Sequence, residues 1–103
     1  FLKENGINHI ATLWCQKYKS GDYHPPHDHG SIGFSAVLYA KLDSDVHPST
    51  LFLPPFPSEN GTKVAKSFQV EEGDLIIFPA HVFHMAPPHY DDKMRVIFSF
   101  NLI

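Results

Sequence analysis

The sequence predicts an all-β fold, a barrel or sandwich of short strands, and three observations lead to this class. The chain has 103 residues, of which 43% are hydrophobic, so it can bury one core, and we expect a single domain over residues 1–103. Nine prolines and six glycines separate short apolar runs, which is typical of strands joined by turns. Several of these runs alternate apolar and polar side chains, which is the period of a half-buried strand.

Seven segments have the composition and the period of strands, and none predicts a helix. They cover residues 9–19, 23–29, 34–42, 51–53, 63–70, 75–78 and 94–102. The stretches between them are polar or rich in proline and glycine, which predicts loops and turns. The longest predicted loops cover residues 42–50, 56–62 and 86–93. Seven short strands at this spacing indicate a sandwich or a barrel.

Charge and composition exclude several classes of partner. The net charge is −3 and no cluster of lysine or arginine exists, so the chain lacks the basic stripe of a nucleic-acid groove. No apolar run approaches the roughly 20 residues of a membrane-spanning helix. The single cysteine, Cys15, excludes an internal disulfide framework, and its place in an alternating segment predicts a small packed side chain. We therefore expect a cytoplasmic protein that binds neither nucleic acid nor membrane.

The eight histidines are the compositional feature that most needs an explanation. His27 and His29 stand two residues apart, and on an extended segment such side chains project from the same face. They could then share one ion at metal–nitrogen distances of about 2.0–2.1 Å. His84 follows a glycine turn, a buried strand and a proline stop over residues 73–79, an arrangement that carries it to a fixed point of a barrel.

His27, His29 and His84 together therefore predict a site for one divalent metal ion. Three nitrogen ligands leave coordination positions open for water, a chelating acid or dioxygen. Imidazole suits iron, zinc, copper and nickel, so the ligand type alone leaves the metal open.

The other histidines have more ordinary explanations. His9, His47 and His89 are expected to be solvated or hydrogen-bonded loop residues. His24 and His81 each lie three residues from a proposed ligand and could support it as hydrogen-bond partners.

Two stretches, residues 18–42 and 73–101, resemble the small 2-oxoglutarate/Fe(II)-dependent oxygenase-like proteins of marine bacteria and cyanophages. Those proteins share an H-x-H segment, a strand with the pattern S-x-V-x-Y, a GDL-x-x-FP…H segment and a closing arginine followed by S-F-N. The resemblance implies a double-stranded β-helix, the jelly-roll also found in cupins. It further implies hydroxylation of an unknown substrate, with 2-oxoglutarate and dioxygen as small-molecule co-substrates.

Carried over residue by residue, the resemblance implies that His27, His29 and His84 hold Fe(II) and that Arg95 binds the 2-oxoglutarate carboxylate. The chemistry suits that role, because a guanidinium can grip a carboxylate with two parallel hydrogen bonds. Tyr39 is the most plausible second donor, and Ser99 shares the face of Arg95 by alternation. No catalytic residue is expected beyond the metal ligands.

Several alternatives stay open. Most 2-oxoglutarate oxygenases use two histidines and one carboxylate, so a backbone kink after residues 25–26 would make Asp28 the ligand instead of His29. A cupin-type dioxygenase or isomerase would use the same histidines but has no particular use for Arg95. A non-catalytic jelly-roll binding module would leave Arg95 in a salt bridge to Asp91 or Asp92. A homodimer could also cover an exposed sheet edge.

Overall fold

A computed structural model describes residues 3–53 and 65–103, and in these residues the chain forms two four-stranded sheets. The strands are β1 (Ile10–Tyr18), β2 (His24–His27), β3 (Phe34–Lys41), β4 (Leu51–Phe52), β5 (Lys66–Ser67), β6 (Leu75–Pro79), β7 (His84–Ala86) and β8 (Arg95–Leu102). None of the described residues is helical, so the predicted all-β class is confirmed. No helix in residues 3–53 and 65–103 has the length and hydropathy that crossing a membrane requires.

The strand order is β1-β8-β3-β6 in one sheet and β2-β7-β4-β5 in the other. Every pair is antiparallel. The chain changes sheet at each connection except the one between β4 and β5, which is the winding of a jelly-roll. The core lies between the sheets, and both sheets contribute to it.

The period-2 alternation of the longer strands decides which side chains enter that core. The outward-facing Phe98 is exposed, whereas its neighbours Ile97 and Ser99 are buried. The inward side chains of β1, β3 and β8 are Trp14, Gln16, Tyr18, Ser35, Val37, Tyr39, Arg95, Ile97 and Ser99. The sequence places the same residues together on one face of each strand, although in β3 Ala36 of the other face is buried as well.

One glycine is required where the chain after residue 29 lies against the end of β8. Gly33 has φ +81°, and a Cβ at this position would lie 2.2 Å from the Leu102 backbone oxygen. Its own carbonyl accepts a hydrogen bond of 3.0 Å from the Ala80 N–H. Gly33 therefore holds the chain after His29 against the segment that leads to His84.

The structure differs from the sequence predictions in four places. β7 was not predicted, because three residues next to a proline pair carry too short a pattern to be read as a strand. The predicted strand over 23–29 ends at His27, and the one over 63–70 is reduced to Lys66–Ser67 within the described residues. Cys15 is exposed and not packed, because it lies on the outer face of β1. The predicted loop over 56–62 lies outside the described residues.

Candidate metal centre and carboxylate pocket

Three histidines meet on the sheet that contains β2 and β7, and we call His27, His29 and His84 the histidine triad. The antiparallel register pairs His27 directly with His84, and their ring centroids are 4.2 Å apart. His29 lies two residues beyond β2, where its N–H donates a 2.8 Å hydrogen bond to the Ala80 carbonyl. Its ring stacks on that of His84 at 5.0 Å. One ring nitrogen of each histidine lies within 4.8 Å of the other two.

Backbone carbonyls orient two of the three rings. The Nδ1 of His27 faces the Pro25 carbonyl at 2.6 Å, and the Nδ1 of His84 faces the Val82 carbonyl at 2.9 Å. A carbonyl only accepts, so in both rings the proton sits on Nδ1 and the lone pair is on Nε2. This is the tautomer in which a histidine binds a metal through Nε2.

The spacing between nitrogens also fits a shared ion. The Nε2 atoms of His29 and His84 are 3.1 Å apart. Two nitrogens bound to one ion at about 2.0–2.1 Å are separated by roughly 2.8–3.4 Å in octahedral or tetrahedral geometry. The donor set of the triad therefore fits a transition metal such as Fe(II), although it leaves other imidazole-binding metals possible.

Burial keeps His84 and His29 in the neutral form that binds metal. Burial and, to a smaller extent, the neighbouring histidines lower the pKa of His84 to about 4, while the Val82 hydrogen bond opposes the shift. Burial and the nearby His27 also lower the pKa of His29. Both rings are consequently unprotonated at neutral pH, so no proton has to be displaced before a cation binds.

Asp28 has a different place from the one that the carboxylate alternative requires. It is exposed, and its Oδ1 accepts a 3.0 Å hydrogen bond from the Gly30 N–H in a local turn. β2 ends at His27, so the expectation that both histidines lie on one strand is wrong. His29 nevertheless turns toward His84, while Asp28 faces solvent.

Side chains of β1 and β2 surround the triad. The Trp14 ring stacks on His29 at 5.6 Å, and the His24 ring stacks on His27 at 4.0 Å. The Gln16 Nε2 forms a 2.9 Å hydrogen bond with the His24 Nδ1. His24 therefore contacts a triad member, as the sequence allowed, whereas His81 is exposed.

Two adjoining cavities lie beside the triad and Arg95. The first is lined by the triad, by the inward face of β1 and by Ser99. The second is lined by Arg95 and Tyr39. The two cavities share walls made by Tyr18, Thr50, Ala86 and Ile97. The guanidinium and the triad therefore line neighbouring cavities.

Arg95 is 2% exposed, yet its guanidinium is only partly bonded. Its Nη1 donates to the Pro48 carbonyl at 2.7 Å, its Nη2 donates to the Pro87 carbonyl at 2.8 Å, and the group lies over the Tyr18 ring at 4.4 Å. Its Nε is buried and has no hydrogen-bond partner in the described part of the chain. A buried donor without an acceptor is rare in native structures and indicates a place for a ligand.

The alternative of a salt bridge between Arg95 and the adjacent loop does not match this geometry. The ion pairs of Asp91 are with His47 and His89, and Asp92 is exposed. Burial lowers the pKa of Arg95, and the charges of Tyr18, Tyr39 and Asp91 offset that effect only in part. Arg95 is thus a buried cation without a bonded carboxylate in residues 3–53 and 65–103, which is the environment that an anionic ligand would complete.

Tyr39 lies in the same cavity and is oriented by Thr50. The Thr50 N–H donates to the Tyr39 hydroxyl oxygen at 3.2 Å, and the two hydroxyls are 2.6 Å apart. Burial raises the pKa of Tyr39. If the Thr50 hydroxyl also donates, the proton of the Tyr39 hydroxyl is left for a ligand. No sequence pattern predicts that Thr50 belongs to the site, whereas the alternation of Gln16 with Trp14 and Tyr18 could have predicted it for Gln16.

Comparison with known proteins agrees with this arrangement. The family described as "Putative 2OG-Fe(II) oxygenase" matches residues 12–101. The chain belongs to this family. No curated protein matches the sequence. The family implies Fe(II) and 2-oxoglutarate, and the triad and the unpaired Nε of Arg95 are groups that fit them.

Solved structures show the same fold. A prolyl-4-hydroxylase from Pseudomonas putida superposes with a TM-score of 0.66 at 18% identity, over 94% of this chain and 53% of that one. A cupin domain from Bordetella pertussis superposes with a TM-score of 0.58 at 18% identity, over 93% of this chain and 84% of that one. The predicted double-stranded β-helix is therefore confirmed, and the chain spans about half the length of the hydroxylase.

Proposed function

We propose that this chain is the catalytic barrel of an Fe(II)- and 2-oxoglutarate-dependent dioxygenase that hydroxylates a substrate still to be identified. One observation carries the proposal: a three-histidine centre and a buried arginine with an unpaired Nε face adjoining cavities. A cation site next to a carboxylate site suits a co-substrate that has a keto acid at one end and a carboxylate at the other.

In such an enzyme, the metal with 2-oxoglutarate supplies the oxidising chemistry. The overall reaction converts a C–H bond, dioxygen and 2-oxoglutarate into an alcohol, succinate and carbon dioxide. The protein contributes geometry and exclusion of water, not acid–base catalysis.

The triad would hold the ion through nitrogens that the backbone has already oriented. The Pro25 and Val82 carbonyls hold the rings of His27 and His84 with Nε2 free, so binding needs no tautomer change in either ring. His29 completes the set, and Trp14 covers one face of its ring. Three neutral ligands leave the full positive charge of the ion available to an anionic co-substrate.

Arg95 would bind the distal carboxylate of the co-substrate. Its two Nη atoms already donate to carbonyls, so the guanidinium is held, and its Nε has no partner in the described residues. A carboxylate at this edge would bond to Nε and one Nη and would neutralise a buried charge. Tyr39 would supply a third bond. Ser99 lines the cavity nearer the triad, which makes it a weaker candidate for the same anion.

The proposal is tested by anaerobic reconstitution with Fe(II) followed by titration with 2-oxoglutarate. The expected result is the visible charge-transfer absorption of a chelated keto acid. In Arg95→Ala the 2-oxoglutarate dissociation constant should rise by about 100-fold, because two charge-assisted hydrogen bonds are lost. Arg95→Lys should fall between wild type and Arg95→Ala, since the charge is kept and the planar fork is lost.

Lys17→Ala is the matched control, because Lys17 is an exposed cation on the outer face of β1 and should not affect the absorption. A band that is equally strong in Arg95→Ala would overturn the role of Arg95. Stoichiometric metal without any band would favour the cupin-type dioxygenase or isomerase, for which the three-histidine set is equally suitable. Failure to bind metal at all would favour a non-catalytic binding module.

A further inference from the structure

A second group of potential metal ligands lies close to Arg95 and outside the proposed metal centre. We call His47, His89 and Asp91 the histidine–aspartate cluster, and one ligand atom of each lies within 4.8 Å of the others. His47 is 6% exposed and His89 is 3% exposed. The residue types suit a metal, so its function depends on whether their lone pairs are free.

Both ring nitrogens of His47 already take part in hydrogen bonds. Its Nδ1 accepts a 2.9 Å hydrogen bond from the Asp43 N–H, so the proton of the ring is on Nε2. That Nε2 faces the Lys93 carbonyl at 2.9 Å and the Asp91 Oδ1 at 3.3 Å. A protonated nitrogen cannot bind a metal, so His47 offers no ligand and the cluster lacks a third one.

Both ring nitrogens of His89 have partners. Its Nδ1 faces the Asp91 Oδ2 at 2.9 Å, and its Nε2 faces the Tyr18 carbonyl at 3.1 Å. The ring therefore links the Asp91 carboxylate to the end of β1.

Asp91 is the centre of the cluster. Its carboxylate accepts from His89 and also takes a 2.8 Å hydrogen bond from the Lys93 N–H. Burial would raise the pKa of the Asp91 carboxyl, but the bonds from Lys93 and His89 outweigh that effect, and the pKa is lowered. The carboxylate therefore stays charged opposite the His89 ring.

The first connection from this cluster to Arg95 runs through Tyr18. His89 bonds to the Tyr18 carbonyl, and the His89 carbonyl accepts a 2.6 Å hydrogen bond from the Gly21 N–H. The Tyr18 ring in turn lies against the Arg95 guanidinium. The end of β1, which forms one wall around Arg95, is thus attached to the loop that contains His89.

The second connection runs through the two carbonyls that hold the guanidinium. Pro48 follows His47 directly, and Pro87 precedes His89 by two residues. Their carbonyls accept from Nη1 and Nη2 of Arg95. Both hydrogen bonds and the aromatic contact of the guanidinium therefore come from segments that the histidine–aspartate cluster ties together.

We propose that His89 and Asp91 are positioning residues for Arg95. The His89 ring and the Asp91 carboxylate hold Tyr18, Pro48 and Pro87 in the places that orient the guanidinium and leave its Nε–H without a partner in the described residues. This inference rests on the proposed function only for the identity of the anion. The orientation of Arg95 is a property of the protein alone and can be measured without any ligand.

The experiment uses the fact that Arg95 is the one arginine of the chain, so its Nε–H gives a single, unambiguous NMR signal. Exchange of this proton with water is measured in the metal-free wild type, in Asp91→Asn and in His89→Gln. Loss of a charged hydrogen bond should expose the Nε–H and speed its exchange by about 10-fold in both variants. Asp92→Asn, which changes an exposed neighbouring carboxylate, is the matched control and should exchange like wild type.

A second measurement separates positioning from a general structural role. In Asp91→Asn the dissociation constant for 2-oxoglutarate should rise by about 10-fold, while that for Fe(II) alone stays within about 2-fold. In an Arg95→Lys background the same substitution should have little further effect, because it acts through the guanidinium.

Unchanged exchange of the Nε–H in both variants overturns the positioning role, whatever happens to 2-oxoglutarate. Equal losses of Fe(II) and 2-oxoglutarate affinity, or loss of folding in both variants, also overturn it, because they indicate general structural damage. Faster exchange in both variants supports the positioning role. If wild type then binds no 2-oxoglutarate, the positioning role stands and it is the proposed function that fails.

Discussion

The histidine triad and the histidine–aspartate cluster contain similar residues but differ in the hydrogen-bond partners of their ring nitrogens. In the triad, carbonyls accept from Nδ1 of His27 and His84 and leave the lone pair on Nε2, and the partner of the His84 Nε2 is another candidate ligand, the His29 Nε2. In the cluster, both nitrogens of His47 and His89 already have partners. Proximity of ligand-type residues is therefore a weak criterion for a metal site. The decisive criterion is whether each nitrogen still has a lone pair to give.

The largest expected effect is on metal binding. His84→Ala should weaken Fe(II) binding by more than about 100-fold, because it removes one of three ligands and leaves the ion with two. His81→Ala, an exposed histidine three residues away, is the control and should bind like wild type. Anaerobic isothermal titration should give one ion per wild-type chain. A second bound ion that disappears in His47→Ala would show that the histidine–aspartate cluster also binds metal.

The second prediction concerns the stability of the metal-free protein. Burial lowers the pKa of His84 to about 4 in the folded state, while an unfolded histidine titrates near 6.5. Between these values the unfolded chain binds the additional proton, so the free energy of unfolding falls as the pH falls from about 6.5 to about 4. The loss attributable to His84 is at most about 3 kcal/mol. Added metal should oppose it, because the ion binds only the neutral ring.

Urea unfolding of metal-free wild type and of His84→Gln across this pH range measures that loss. The variant cannot take up the proton, so its stability should depend less steeply on pH. Parallel curves for the two proteins would mean that His84 is not the source of the dependence.

The smallest expected effect comes from the second donor to the carboxylate. Tyr39→Phe should weaken 2-oxoglutarate binding by about 3- to 10-fold, which corresponds to the loss of one hydrogen bond. Affinity for Fe(II) alone should not change, since Tyr39 lines the Arg95 cavity and not the triad. Spectroscopic titration gives both constants, and an unchanged 2-oxoglutarate affinity would remove Tyr39 from the site.

Much of the fold followed from local pattern. Alternation along β1, β3 and β8 identified the inward faces, because the period of a strand is a property of the backbone and does not depend on its neighbours. The same logic grouped Arg95 with Ser99 on one face. It failed for β7, whose three residues owe their strand conformation to pairing with β2 and β4. It failed for Cys15 because alternation alone does not say which face is covered.

By itself, the sequence determined the all-β class, the residues that could bind a metal, and the single arginine that could bind a carboxylate. Only the tertiary structure decided which of these groups have free lone pairs and which are satisfied. The reason is that the partners of His84, His47, His89 and Arg95 are largely backbone carbonyls and N–H groups. Every residue has such backbone groups, so no pattern of residue types predicts which of them will be partners. Only the path of the chain brings them to a particular ring or guanidinium.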